Sequence, residues 1–181
     1  MSFKELKKIK IAIVAGGWSS ERSVSINSGK NVFNTLKKNG YIVTFFDLKK
    51  YNLHELFKSK PDLIFNALHG EFGEDGGISC VAKKYNTTIT HSADISSALC
   101  FNKRLLKKFL KNELNLLSPR ELHEIKKIKF PLIVKPNADG SSKGVKIINN
   151  HKELKKLKID QNTLIEEKID GRELTVTVME D

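Results

Sequence analysis

The feature that most constrains this chain is an alternation in its first half. Short apolar runs rich in β-branched residues take turns with helical stretches that end at glycine or proline. Residues 10–15, KIAIVA, run into Gly16 and Gly17 and predict a buried strand. The next stretch predicts a helix from about Ser23, with Val24, Val32, Phe33 and Leu36 among its apolar positions and Gly40 as its stop. YIVTFFDL, residues 41–48, predicts a second strand, and NLHELFKSK a short helix stopped by Pro61. DLIFNALHG predicts a third strand that ends at His69 and Gly70. ISCVAKKY predicts a helix, and NTTITHS a short fourth strand. Strands that alternate with helices imply right-handed crossovers and a parallel sheet. Such sheets are covered on both faces, which suits strands that are apolar almost throughout.

Beyond Ser92 the texture changes. SSALCFNKRLLKKFLKNEL predicts one helix of several turns. FPLIVKP and GVKII predict two strands around the loop NADGSSKG. HKELKKLK predicts a helix, and TLIEEKIDGRELTVTVMED two strands on either side of Asp170 and Gly171. The fold class expected is therefore α/β, with a Rossmann-like parallel-sheet domain over residues 1–95 and an α+β unit over residues 96–181. With four strands, the second unit reads as part of a larger domain. No repeat of fixed period and no low-complexity linker is present.

Composition narrows the function classes. Cys80 and Cys100 lack CxxC spacing, which argues against a disulfide framework or a cysteine zinc site. The apolar part of the N-terminus is too short for a secretory signal or a membrane span, so a cytoplasmic protein is expected, with no membrane partner. The net charge of +11 raises nucleic-acid binding as a possibility. However, the lysines recur in KELKKIK, KRLLKKFLK and HKELKKLK among Leu and Ile at helical spacing. That is the pattern of solvated helix faces, and no nucleic acid is expected as partner.

Three loops follow apolar strands, where α/β proteins bind ligands: AGGWSSERSVS, ALHGEFGEDG and KPNADGSSKG. The first lacks GxGxxG spacing, and GxxxxGK[ST] occurs nowhere in the chain. The third joins two strands, and Gly140 and Gly144 allow it to fold over a ligand with backbone N–H groups and serine hydroxyls turned inward. Lys135 ends the strand before that loop, on the same face as Ile133. Glu166 and Lys168 share a face of a later strand, whose edge could hydrogen-bond an adenine, with Glu173 available for ribose hydroxyls. Glu21, near a helix start, could hold a substrate ammonium, and His69 could contact a carboxylate or phosphoryl group. Each has a plain structural alternative: a solvated lysine for Lys135 and Lys103, a charge-paired strand for Glu166, favourable helix-start electrostatics for Glu21, and a hydrogen-bonded histidine for His69. Glu71, Glu74 and Asp75 lie in a glycine-rich turn with no histidine at ligand spacing, so no metal ligand is assigned.

Taken in order, GGWSSERSVSINSG, NALHGEFGEDGGI, SALCFNK, FPLIVKPNADGSSKGV and LIEEKIDGRELTV resemble the D-alanine–D-alanine ligase family of the ATP-grasp superfamily. The likeness covers essentially the whole chain. It implies a pre-ATP-grasp domain followed by the first part of an ATP-grasp domain, with the second subdomain missing. It implies ATP-dependent joining of two D-alanines through an acyl phosphate, for peptidoglycan precursor synthesis, with Mg2+ as cofactor and a homodimer as assembly. By the same resemblance Glu21 orients the first D-alanine through its ammonium, and His69 lies near the acyl-transfer centre. Lys103 and Lys135 contact ATP phosphates. Ser141 links the mobile loop to Glu21 and substrate, with Ser142 beside it on the nucleotide. Glu166, Lys168 and Ile169 line the adenine and Glu173 takes the ribose. Ser23 stands where the family has an acidic residue, and Phe101-Asn102 where it has Met-Asp. The magnesium ligands and the oxyanion-stabilising arginine are expected outside these residues, so the 181 residues alone are expected to be inactive. Alternatives are another ATP-grasp ligase, such as a D-alanine–D-lactate ligase, or a non-catalytic nucleotide-binding module.

Overall fold

A computed structural model describes residues 5, 7–122, 128–140 and 142–178. The chain packs as two compact units, Met1–Phe109 with Ala138–Ser141, and Leu110–Asn137 with Ser142–Asp181.

The first unit is built on a four-stranded, wholly parallel sheet of order β2-β1-β3-β4. Its strands are β1 (Lys10–Gly16), β2 (Ile42–Leu48), β3 (Leu63–Asn66) and β4 (Thr88–Ile89), as the apolar runs predict. Helix α1 (Arg22–Lys38) follows β1, α2 (Leu53–Lys58) follows β2, and α3 (Gly77–Lys84) follows β3. α4 (Asp94–Phe101) and α5 (Lys103–Leu114) come after β4. β1 is central, and Ile11 to Ala15 are all buried. One core cluster joins Ala12, Val14 and Ile64 to Leu56, Phe57, Ile78 and Ala82. Burying such side chains contributes about 1.5–3 kcal/mol each. On the other face α1 lies close to the sheet because it carries Gly29 there. A Cβ at Gly29 would sit 2.5 Å from the Ala15 Cβ and 3.2 Å from the Phe45 ring.

The second unit holds a three-stranded antiparallel sheet of order β6-β5-β7. Its strands are β5 (Leu132–Pro136), β6 (Lys146–Ile148) and β7 (Thr163–Glu167). Leu132, Val134, Ile148 and Ile165 form its core with Leu154 of α6 (His151–Leu154). A reciprocal cap starts that short helix. The Asn150 carboxamide oxygen accepts the Glu153 N–H at 3.0 Å, and the Glu153 carboxylate accepts the Asn149 N–H at 2.9 Å.

Three expectations are corrected. The third strand stops at Asn66, short of His69, because Asn66 folds its side chain into the loop. Its oxygen accepts the Leu68 N–H at 3.1 Å and its amide donates to the Gly73 carbonyl at 3.0 Å. The single helix after Ser96 is two, broken at Asn102, which is extended and accepts the Leu105 N–H at 3.1 Å as the cap of α5. The strand expected after Gly171 is absent among the described residues. Leu174, Val176 and Val178 are exposed there, and no neighbouring strand supplies a ladder.

Gly29→Ala is expected to destabilise the protein by about 1–3 kcal/mol, because α1 must move off β1. Urea denaturation midpoints of the two proteins measure this. An unchanged midpoint would show that the helix–sheet spacing is not set at Gly29.

Candidate functional site

Parallel strands bring their C-terminal ends to one edge of the sheet, and the loops after β1 and β3 meet there. Glu21 stands immediately before α1 and is 1% exposed, yet among the described residues its Oε2 has no hydrogen-bond partner. A Cβ on Gly70 would lie 3.5 Å from that oxygen, and one on Gly140 would lie 3.7 Å from it. Two glycines thus leave open the space in front of a buried carboxylate oxygen. Such an oxygen is costly unless a donor or cation reaches it.

The adjacent cation is committed elsewhere. Arg22 makes a forked pair with Asp47, at 2.7 and 2.8 Å, and donates to the Gly17 and Leu48 carbonyls at 3.1 and 3.2 Å. The Ser25 hydroxyl, fully buried, accepts the Gly16 N–H at 2.8 Å and donates to the Ala67 carbonyl at 2.7 Å, tying the ends of β1 and β3 together. His69 donates from Nδ1 to the Leu68 carbonyl at 3.0 Å, which leaves Nε2 for another partner. Asp75 accepts the Phe72 and Gly77 N–H groups, both at 2.9 Å, and so shapes the loop rather than offering free oxygens.

Beside this lies a cavity of about 430 Å³ lined by Glu74, His91, Ser97, Cys100, Lys103 and Asp139, among others. Lys103 donates to the Asp139 carbonyl at 2.7 Å. His91 Nε2 is buried and has no hydrogen-bond partner among the described residues. Burial lowers the His91 pKa below its ordinary value, and the Glu74 and Asp75 carboxylates offset that only in part.

In the second unit Lys135 and Glu166 form an ion pair at 2.5 Å, with Glu166 2% exposed. The antiparallel register pairs Lys135 with Leu164 and Ile133 with Glu166, which places both charges on the face away from the core. Lys168 contacts Asp170. Ser142 has a positive φ of 54° and is exposed, as are Ile169 and Glu173. Ser141 lies outside the described residues. Glu21 and His69 are therefore brought to one sheet edge, and Lys135 and Glu166 into contact. Ile169 and Glu173 are not gathered into a site. Sequence reasoning missed Ser19, Ser25, Asp47 and His91. The available signal for His91 was its place in the loop just past β4, on the same sheet edge.

These features define an α/β protein with loop-borne polar groups at a parallel-sheet edge and an antiparallel second unit. A family model described as the D-ala D-ala ligase C-terminus matches residues 104–181. The chain is 42% identical over 186 residues to a D-alanine–D-alanine ligase of Pelagibacter ubique (strain HTCC1062), covering 94% of this chain and 61% of that protein. It is 38% identical over 190 residues to that of Zymomonas mobilis, covering 96% and 59%. The crystal structure of the Bacillus anthracis D-alanine–D-alanine ligase superposes with a TM-score of 0.75 at 34% identity, over 90% of this chain and 58% of that one. The same enzyme complexed with ATP superposes with a TM-score of 0.73 at 32% identity. The chain belongs to the D-alanine–D-alanine ligase family. It spans about three fifths of the length of the curated relatives it matches.

Two outcomes test the electrostatics. Glu21→Gln is expected to melt at or above the wild-type temperature, because an unpartnered buried carboxylate oxygen is replaced by a neutral amide. A melting temperature several degrees lower would show that Glu21 is satisfied within the fold. For His91, the unfolded chain takes up a proton near pH 6.5, which the folded chain refuses until a lower pH. Its contribution to stability is therefore present above about pH 6.5 and is lost as pH falls toward the folded-state value. His91→Gln should flatten this fall, read as the difference in denaturation midpoint between pH 7.5 and 5.5; equal slopes would refute it.

Proposed function

We propose that this chain serves the ATP-dependent joining of two D-alanine molecules, with its first unit holding the first D-alanine. The observation that carries the reading is the buried Glu21 Oε2, which has no partner among the described residues and is faced by Gly70 and Gly140. A primary ammonium supplies the missing charge and donors. His69 Nε2, on the neighbouring loop, is available to the carboxylate end. Lys103 and Lys135 take ATP phosphates, where they neutralise charge on the transferring phosphoryl group. Glu166, Lys168 and Ile169 line the adenine, Glu173 takes the ribose, and Ser141 and Ser142 belong to the loop that covers the phosphates. The carboxylate of the first D-alanine is phosphorylated, and the amine of the second displaces the phosphate to form the amide. Excluding water protects that acyl phosphate.

No group of three His, Cys, Asp or Glu side chains able to hold a metal occurs among the described residues, so no step is assigned to magnesium here. We assign residues 1–95 to the pre-ATP-grasp domain and residues 96–181 to the start of the ATP-grasp domain. The reading includes a homodimer acting in the cytoplasm. No helix among the described residues is long and apolar enough to cross a membrane.

Calorimetry with D-alanine and with ATP tests the proposal. The 181 residues alone are expected to bind both without releasing phosphate, since they span about three fifths of their relatives' length. Glu21→Gln should weaken D-alanine binding by about ten- to a hundredfold, the worth of a charged hydrogen bond, and leave ATP binding unchanged. Loss of ATP affinity instead would show that Glu21 is misassigned.

A further inference from the structure

One hydroxyl touches the backbone of both D-alanine candidates in the first unit. The Ser19 Oγ donates to the His69 carbonyl at 2.6 Å and accepts the Glu21 N–H at 3.2 Å. The contact is close enough that a Cβ on Gly70 would meet the Ser19 Cβ at 3.0 Å. One residue before it, the Trp18 ring packs against Phe72 with centroids 4.8 Å apart and planes tilted by 36°. The loop after β1 and the loop after β3 are thus fastened twice, by an aromatic contact and by a hydroxyl. Of these two contacts, the hydroxyl is the one that bonds directly to the residues carrying the candidate groups.

We propose that Ser19 is a positioning residue that fixes the spacing between Glu21 and His69, and with it the fit of a small zwitterionic amino acid. The proposal rests on the D-alanine reading above. A ligand with an ammonium at one end and a carboxylate at the other needs two receptors at a set separation. Two receptors at the wrong separation cannot both reach such a ligand at hydrogen-bond distance. Glu21 and His69 lie on separate loops, so neither loop alone can set that separation. Ser19 sets it because its single oxygen serves as donor to one loop and acceptor from the other.

The test is calorimetry on the 181-residue chain with D-alanine and with ATP, comparing wild type, Ser19→Ala and Ser19→Thr. Trp18, the sole tryptophan, reports by its fluorescence whether the two loops remain packed. Ser19→Ala should raise the D-alanine Kd by about tenfold or more, matching the loss of one to two hydrogen bonds, while the ATP Kd stays within about twofold. Ser19→Thr, which keeps the hydroxyl, should restore D-alanine affinity to within about threefold of wild type. An unchanged D-alanine Kd in Ser19→Ala overturns the proposal, as does an equal loss for both ligands or a failure of Ser19→Thr to rescue. If wild type itself does not bind D-alanine, the reading of the site fails first and this inference falls with it. If wild type binds and only the Ser19 pattern is absent, this inference fails and the site reading stands.

Discussion

The first unit is organised around a carboxylate oxygen, Glu21 Oε2, that is kept out of water and left unsatisfied by the described residues. Burying an unpaired polar group costs free energy, and folding alone supplies no reason to accept that cost. The nearest cation could have removed it. Arg22 is the next residue, yet its guanidinium is bound to both Asp47 oxygens and to the Gly17 and Leu48 carbonyls. Four hydrogen bonds from its two terminal nitrogens hold the fork on these acceptors and away from Glu21 Oε2. The fold thus keeps positive charge beside Glu21 and withholds it from Oε2.

Holding such a group in place requires a frame that does not relax around it. The frame is the central strand β1, paired in register on both sides, with its residues from Ile11 to Ala15 buried. Ser25 extends that frame beyond the ladder by joining the Gly16 N–H to the Ala67 carbonyl. Close packing of α1 through Gly29 adds the third side. A buried site collapses only if its surroundings can move, and these elements are coupled by packing and by satisfied hydrogen bonds.

Much of this frame was legible in the sequence, because continuous apolar runs between glycine and proline stops have few other solutions in an α/β chain. KIAIVA and YIVTFFDL could be placed almost to the residue. Less legible were events decided by one polar side chain. Asn102 breaks a helix that its apolar spacing would continue, since its carboxamide caps α5 better than a helical backbone serves it. Asn66 ends a strand in the same way. Alternation in LTVTV promised a strand, but a strand exists only with a neighbour to bond, and periodicity does not report neighbours. Glu21 could be singled out by position. Its missing partner could not, because that depends on Gly70, Gly140 and the diversion of Arg22, which only the folded chain brings together.

The two units treat a buried acid in opposite ways. Glu166 is as buried as Glu21, yet Lys135 reaches it across the antiparallel register and neutralises it. A ligand cation has nothing to gain there, whereas an anion can draw Lys135 toward itself and leave Glu166 to accept a donor. At Glu21 the reverse holds: an anion is repelled and an ammonium completes the site. Under the proposed reading this is what is expected when Glu21 must take the amino end of an amino acid and Lys135 a nucleotide phosphate. On that reading, the pairing of one glutamate and the isolation of the other keep each ligand from the wrong site before any shape selection operates.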